Sequence, residues 1–280
     1  MNNNITYNKI IAFANQKGGV GKTTCCVNIS AAMAACGKKV LLVDMDPQGN
    51  ATMGSGVNKN TLEHTTVNEV LLEQVQINQA IIANVPGGYD LLPANGSLTA
   101  AEISLLQSQR REYKLKTVLA AVVMNYDYIF FDCPPSLNML TLNALVAADA
   151  VIVPMQCEYY ALEGLSALLG TMEQVRNSVN SALVVEGIIL TMYDPRNRLA
   201  TDVEQQLKTH FKDKVYKTAI PRNVRLAEAP SHGVPIILYD KSSRGASAYM
   251  ALVGEMLQAN NKNKSKQLTE QNCECEIVGA

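Results

Sequence analysis

The stretch Ile10-Ile11-Ala12-Phe13-Ala14-Asn15-Gln16-Lys17-Gly18-Gly19-Val20-Gly21-Lys22-Thr23-Thr24 decides the fold. An apolar run ends in a glycine-rich turn, and a helical pattern through Val27, Ile29 and Met33 follows. Strand, turn, helix is the setting of a phosphate-binding loop. Glycines let backbone N–H groups approach phosphate oxygens, and the helix start adds unpaired donors and its dipole. Gly18, Gly19, Val20 and Gly21 form the cradle, Lys22 is placed to reach the β- and γ-phosphates, and the Thr23 hydroxyl to ligate Mg²⁺. Position 16, where the general pattern has its first glycine, holds Gln16, and Lys17 comes next. That second cation can reach phosphate of its own nucleotide, or of one bound by a neighbouring subunit.

Outward from the loop, continuously apolar runs alternate with amphipathic stretches. Strands are predicted at Lys9–Ala14, Lys39–Asp44, Tyr126–Asp132, Ala150–Met155, Leu183–Met192 and Val215–Ile220. Leu115, Val118, Leu119, Val122 and Val123 fall at helical spacing, as do Leu162, Leu165, Leu169, Met172 and Val175. Thr99-Ala100-Ala101-Glu102 reads as a capping box opening the helix before Tyr126. The expected class is a doubly wound α/β fold, mainly parallel with helices on both faces, of the P-loop type. Sites in such sheets gather at the carboxyl ends of the strands.

At 280 residues the chain can bury a substantial core. One domain carrying the phosphate loop is expected over 1–260, and from about Asn260 the loss of apolar periodicity predicts a disordered polar tail over 261–280. No apolar run reaches the ~18 residues of a membrane span, and Met1-Asn2-Asn3-Asn4 is no signal peptide, so the cytoplasm is expected. Seven scattered cysteines suit reduced, mostly buried thiols, and Cys273-Glu274-Cys275 is poorly spaced for zinc. The net charge of −1 argues against nucleic acid, yet basic residues outnumber acidic ones between Leu190 and Gly245.

Two acidic strand ends complete the pattern. Val43-Asp44-Met45-Asp46-Pro47-Gln48-Gly49-Asn50 places two carboxylates where a strand meets a loop, able to hold metal-bound water or orient an attacking water. Pro47 and Gly49 make a turn able to respond to the γ-phosphate. Phe130-Phe131-Asp132-Cys133-Pro134-Pro135 has the form of a Walker-B element, whose Asp132 binds Mg²⁺ directly or through water; Pro134 and Pro135 stiffen the next loop. Cys133 reads as a small buried side chain, with no histidine near it in sequence.

Taken in order, QKGGVGKTT, VDMDPQGNAT, FDCPPS and IPRNVRLAEAPSHG closely resemble the ParA/Soj family of chromosome and plasmid partition ATPases, over roughly Lys9 to Leu257. The resemblance implies an ATP- and Mg²⁺-dependent homodimer with two nucleotides at its interface. Lys17 matches the lysine that contacts the partner subunit's ATP, and Lys22 the loop lysine. Thr23 would coordinate Mg²⁺ and Thr24 the α-phosphate. Asp46 matches the residue that positions the hydrolytic water, and Asp132 supports the metal. Pro221 and Asn223 fall at the adenine contact, and Arg196 and Arg225 where the family binds double-stranded DNA without sequence preference. Arg222, from the same basic stretch, is grouped with them. The implied cycle is slow hydrolysis stimulated by DNA and a ParB-type centromere-binding protein, on the nucleoid.

Two relatives of the same superfamily are weighed against that reading. Membrane positioning, as by MinD, is not expected because no C-terminal helix has basic and bulky apolar faces. An iron–sulfur carrier would need cysteines presented at the dimer interface, for which Cys133 is the candidate near a switch loop. About nine residues precede the first strand, too few for a helix-turn-helix, so sequence-specific repression is not expected either.

Overall fold

The computed structural model describes residues 8–260. Its strands are β1 (Lys9–Phe13), β2 (Val40–Asp44), β3 (Ile82–Val85), β4 (Tyr89–Leu92), β5 (Tyr128–Asp132), β6 (Ala150–Gln156) and β7 (Val184–Thr191). They join in one sheet of order β3-β4-β2-β5-β1-β6-β7, parallel throughout except for the β3–β4 pair. The chain is thus the expected doubly wound α/β fold of the P-loop type. The tail predicted over 261–280, with Cys273 and Cys275, lies outside the described residues.

Alternation along each strand sorts side chains between two cores. Ile11, Phe13, Leu42, Phe130 and Ile152 face one side, packed by the helix Lys22–Ala35 and a helix over 244–260 that brings Leu252, Val253 and Met256. Ala12, Leu41, Val43, Ile129, Phe131, Val151 and Val153 face the other. There the helices Leu98–Leu105, Lys114–Leu119, Met139–Ala147, Ala161–Ser178 and Arg198–Phe211 lie over them. Burial on both faces is why these strands read as unbroken apolar runs. Each large side chain so buried is worth about 1.5–3 kcal/mol, enough to hold the central strands against modest local propensities.

The sequence reading needs correction at three places. The edge hairpin of β3 and β4 was not expected, because each strand has only four residues and β3 exposes Ala83 and Asn84. Its one signal was the turn Pro86-Gly87-Gly88. Val215–Ile220 is no strand; it runs beside β7 through the isolated bridge Ile188–Val215 and the bonds Tyr216 N to Ile188 O and Ile220 N to Leu190 O. The box at Thr99 does not form: its helix starts at Leu98 after Ser97 with no side-chain cap and stops at Leu105, and a second helix, Lys114–Leu119, follows. A capping box does form at Thr66 and Glu69, at the start of Val67–Leu71.

β7 shifts register by one residue at Gly187, against which the buried Tyr216 ring is laid. A Cβ there would collide with Tyr216 Cε2. Gly187→Ala is therefore expected to lower stability by about 1–3 kcal/mol, seen as a fall in urea midpoint that Tyr216→Leu partly restores.

Candidate active site

Register brings the chemistry together. Phe13 of β1 and Asp44 of β2 are both Cα partners of Asp132 on β5, so the three strands end level. The glycine loop, the acidic turn and the Walker-B-like loop therefore leave the sheet side by side. Backbone bonds continue the alignment, Met45 N to Asp132 O at 3.0 Å and Cys133 N to Phe13 O at 3.3 Å.

Between the level ends and the segment 220–227 lies a cavity of about 520 Å³, within the size range of small-ligand sites. Gly18, Gly19, Gly21, Lys22, Thr23 and Thr24 line one wall. Gly19 and Gly21 have φ of 74° and 86°, a left-handed region open mainly to glycine. The helix Lys22–Ala35 begins with no side-chain cap and no acidic residue in its first turn, so its N–H groups remain for an anion. Asn15 anchors the loop start: its Nδ2 donates to Pro154 O at 2.9 Å and its Oδ1 accepts from Lys17 N at 3.0 Å. Lys22 Nζ donates to Lys17 O at 3.2 Å. Burial lowers the Lys22 pKa, opposed by the charges of Asp132, Cys133 and Asp46.

The acids divide by their partners. Asp44 is fully buried, accepting from Thr52 N and Oγ1 at 2.8 and 2.7 Å and from Asp46 N at 3.1 Å. Burial pushes it up to about 6, with those hydrogen bonds holding it down. Its oxygens are spent on fixing the turn, and Thr52, which sequence reading passed over, relays that hold to Ala94 N at 2.9 Å. Asp46 lines the cavity and accepts from Gln48 N at 2.9 Å. Asp132 is fully buried and neither carboxylate oxygen has a hydrogen-bond partner of good geometry, although nearby Thr23 favours its charged form. Burial, then the Asp44 charge, raises its pKa well above the ordinary carboxylate range. A buried acceptor without a donor beside a cationic loop fits a hard divalent cation with oxygen ligands. Thr23 and Asp132 are the residues that could hold Mg²⁺.

Pro221, Arg222, Asn223 and Leu226 form the far wall. Asn223 caps the helix Val224–Glu228, its Oδ1 accepting from Leu226 N at 3.4 Å. Pro135 lines the cavity at its edge and is exposed, whereas Pro134 is buried. Pro47 is half-buried in the acidic turn. Lys17 pairs with the carboxylate of Glu158, beyond β6, a partner that no sequence signal marked. Arg196 is held by both oxygens of Asp194, at 2.9 and 2.7 Å, and the Arg222 charge also bears on Asp194. Arg225 pairs with Glu228 at 2.9 Å and lies 3.6 Å from Asp240. Cys133 is buried and its thiol pKa is raised by that burial, which disfavours the thiolate a cluster ligand needs. Among the described residues no group of three or more His, Cys, Asp and Glu is arranged to hold a metal ion.

A glycine loop with two lysines, set level with a buried Walker-B-like aspartate on a parallel sheet, defines a P-loop ATPase of the variant class with an extra loop lysine. A family model described as an AAA domain matches residues 8–185. The sporulation initiation inhibitor protein Soj of Bacillus subtilis is 54% identical over 248 residues, covering 89% of this chain and 98% of that protein. The chromosome partitioning protein ParA of Caulobacter vibrioides is 48% identical over 260 residues, covering 92% and 97%. Among solved structures, cobyrinic acid a,c-diamide synthase from Mycobacterium smegmatis with bound ADP and magnesium superposes with a TM-score of 0.80 at 38% identity, covering 91% of this chain and 96% of that one. The chain belongs to the ParA/Soj family of chromosome-partitioning ATPases.

Asp132 has a folded pKa above that of the unfolded chain, so the unfolded state ionises first as pH rises. The contribution of this one group to the stability of the nucleotide-free protein should therefore fall from about pH 4 upward. Asp132→Asn, of equal shape and no charge, is expected to gain urea resistance over the unaltered chain, and more at pH 8 than at pH 5. An equal gap at both pH values would show that burial of this charge is not what strains the site.

Proposed function

We propose that this chain is a DNA-partition ATPase whose dimerisation is switched by ATP. The observation that supports the reading is the buried carboxylate of Asp132, without a hydrogen-bond partner of good geometry, behind the Lys22 and Thr23 that line a glycine-walled cavity. ATP occupies the cavity with its phosphates on Gly18–Thr24 and its base toward Pro221 and Asn223. Thr23 and Asp132 would hold Mg²⁺, which would supply positive charge to the phosphates. Lys22 binds the same oxygens, and Thr24 the α-phosphate. Asp46, tied into its turn by Asp44, orients the attacking water toward the γ-phosphate, while Pro47, Pro134 and Pro135 stiffen the loops that follow the acids.

Lys17 acts on the partner subunit's nucleotide. Its ion pair with Glu158 is half-exposed and worth about 0–1 kcal/mol. A dianionic terminal phosphate at a closing interface is a stronger partner, because charge pairing strengthens as water leaves. Loss of that phosphate weakens the dimer. While ATP holds the dimer, two copies present Arg196, Arg222 and Arg225 together, and duplex affinity, carried by phosphate neutralisation, rises with dimerisation and falls with salt. Arginines on phosphates position without reading sequence. A ParB-type centromere-binding protein is the expected stimulator, and the nucleoid the place of action. No helix among the described residues is long and apolar enough to cross a membrane.

The reading is tested by ATPase assays with and without duplex DNA, anionic vesicles serving as the competing surface; stimulation by vesicles alone would replace partition with membrane positioning. Lys17→Ala should bind nucleotide as before and stay monomeric with ATP in sedimentation. Asp46→Ala should keep ATP-dependent dimers and lose turnover by about 100-fold or more. Arg225→Glu should weaken duplex binding uniformly across sequences and shallow its salt slope.

A further inference from the structure

The phosphate loop is fixed at its start by Asn15, within the motif; its middle is fixed from outside. Thr191, the last residue of β7, donates its hydroxyl to Val20 O at 2.7 Å across 171 positions of sequence. Thr191 is buried, and its Cγ2 would lie 3.7 Å from a Cβ on Gly21, so its methyl abuts the same turn. Among the described residues no peptide bond is cis, and in a trans peptide the carbonyl and the N–H point in opposite directions. Holding the Val20 carbonyl toward β7 therefore turns the Gly21 N–H away from β7. Gly21, at φ 86°, could otherwise swing that peptide freely.

The post itself is rigid. Thr191 is paired in register with Gln156 of β6, and Met192 follows at φ 48°, a strained value for a residue other than glycine. That kink lets Tyr193 N donate to Ile220 O at 2.9 Å, which brings the segment 220–223 to the cavity wall. β7 thus meets both the phosphate and the base sides of the site.

We propose that Thr191 is a positioning residue for the phosphate loop: its hydroxyl, by holding the Val20 carbonyl, aims the Gly21 amide at the phosphates. The inference rests on the cavity being the ATP site and assigns a role to a residue outside every loop motif. The aimed amide serves bound ATP and the transition state alike, so its loss should raise KM and leave kcat nearly unchanged.

The experiment compares Thr191→Val, which keeps shape and removes the donor, with Thr191→Ser, which keeps the donor. Mg²⁺-ADP binding is read by a fluorescent nucleotide, turnover by the kcat and KM of ATP hydrolysis, and folding by nucleotide-free melting. Thr191→Val should bind about tenfold more weakly, with KM raised, kcat within about twofold and melting lowered by no more than the few degrees that one lost buried hydrogen bond costs. Thr191→Ser should stay within about twofold of the unaltered chain. Thr191→Ala should repeat the loss and serves if the valine variant does not fold. Equal nucleotide binding by the valine or alanine variant would overturn the tether, as would a serine variant as weak as valine. Failure of the unaltered chain to bind nucleotide would instead reject the ATP site itself.

Discussion

A carboxylate buried without a hydrogen-bond donor is the constraint around which this molecule is arranged. Asp132 ends a central strand with apolar neighbours on both faces, and its nearest acidic neighbour, Asp44, ends the adjacent strand in register. Desolvation and mutual repulsion both raise its proton affinity. Thr23 and, more weakly, Lys22 on the loop side oppose that rise, and Lys22 is itself held at a lowered pKa by burial. A buried carboxylate so placed costs folding free energy, a cost that a cation beside it would offset.

What keeps that arrangement from collapsing is a division of labour among side chains. Asp44, though acidic and adjacent, spends its oxygens on Thr52 and the Asp46 amide, so it serves as the frame of the turn while Asp46 faces the cavity. Asn15 and Thr191 grip the glycine loop from β6 and β7. The loop is glycine-rich, hence conformationally expensive to order, and these grips order it before any ligand arrives. The exposed cations are held differently. Lys17, Arg196 and Arg225 rest on exposed or half-exposed acids, Glu158, Asp194 and Glu228, in pairs of the kind worth about 0–1 kcal/mol.

Legibility followed from how local each signal was. The glycine loop, the paired aspartates after β2 and the aspartate after β5 could be placed in sequence because each chemistry sits within a few residues of a strand end. The central strands could be read because burial on both faces leaves no polar alternation. The β3–β4 hairpin could not, since a four-residue edge strand with two exposed positions carries almost no periodic signal. The helix between Leu98 and Asn125 was read as longer than it is: apolar spacing survives across the break at Leu106–Arg110, where Arg110 turns left-handed at φ 51°. Thr99 looked like a cap only because its residue types matched.

By itself the sequence determined the class of fold, the glycine loop, the acidic strand ends and the family to which the chain belongs, because these depend on residue order and periodicity over short spans. Only the tertiary structure decided which acid frames the turn and which is left unpartnered, that Glu158 holds Lys17, and that Thr191 reaches the loop from the far end of the chain. Those facts depend on strand order and register, which bring level the ends of segments more than a hundred residues apart. Pairwise contacts at that separation leave no trace in local pattern, so chemistry could be named from the sequence while its geometry had to be seen.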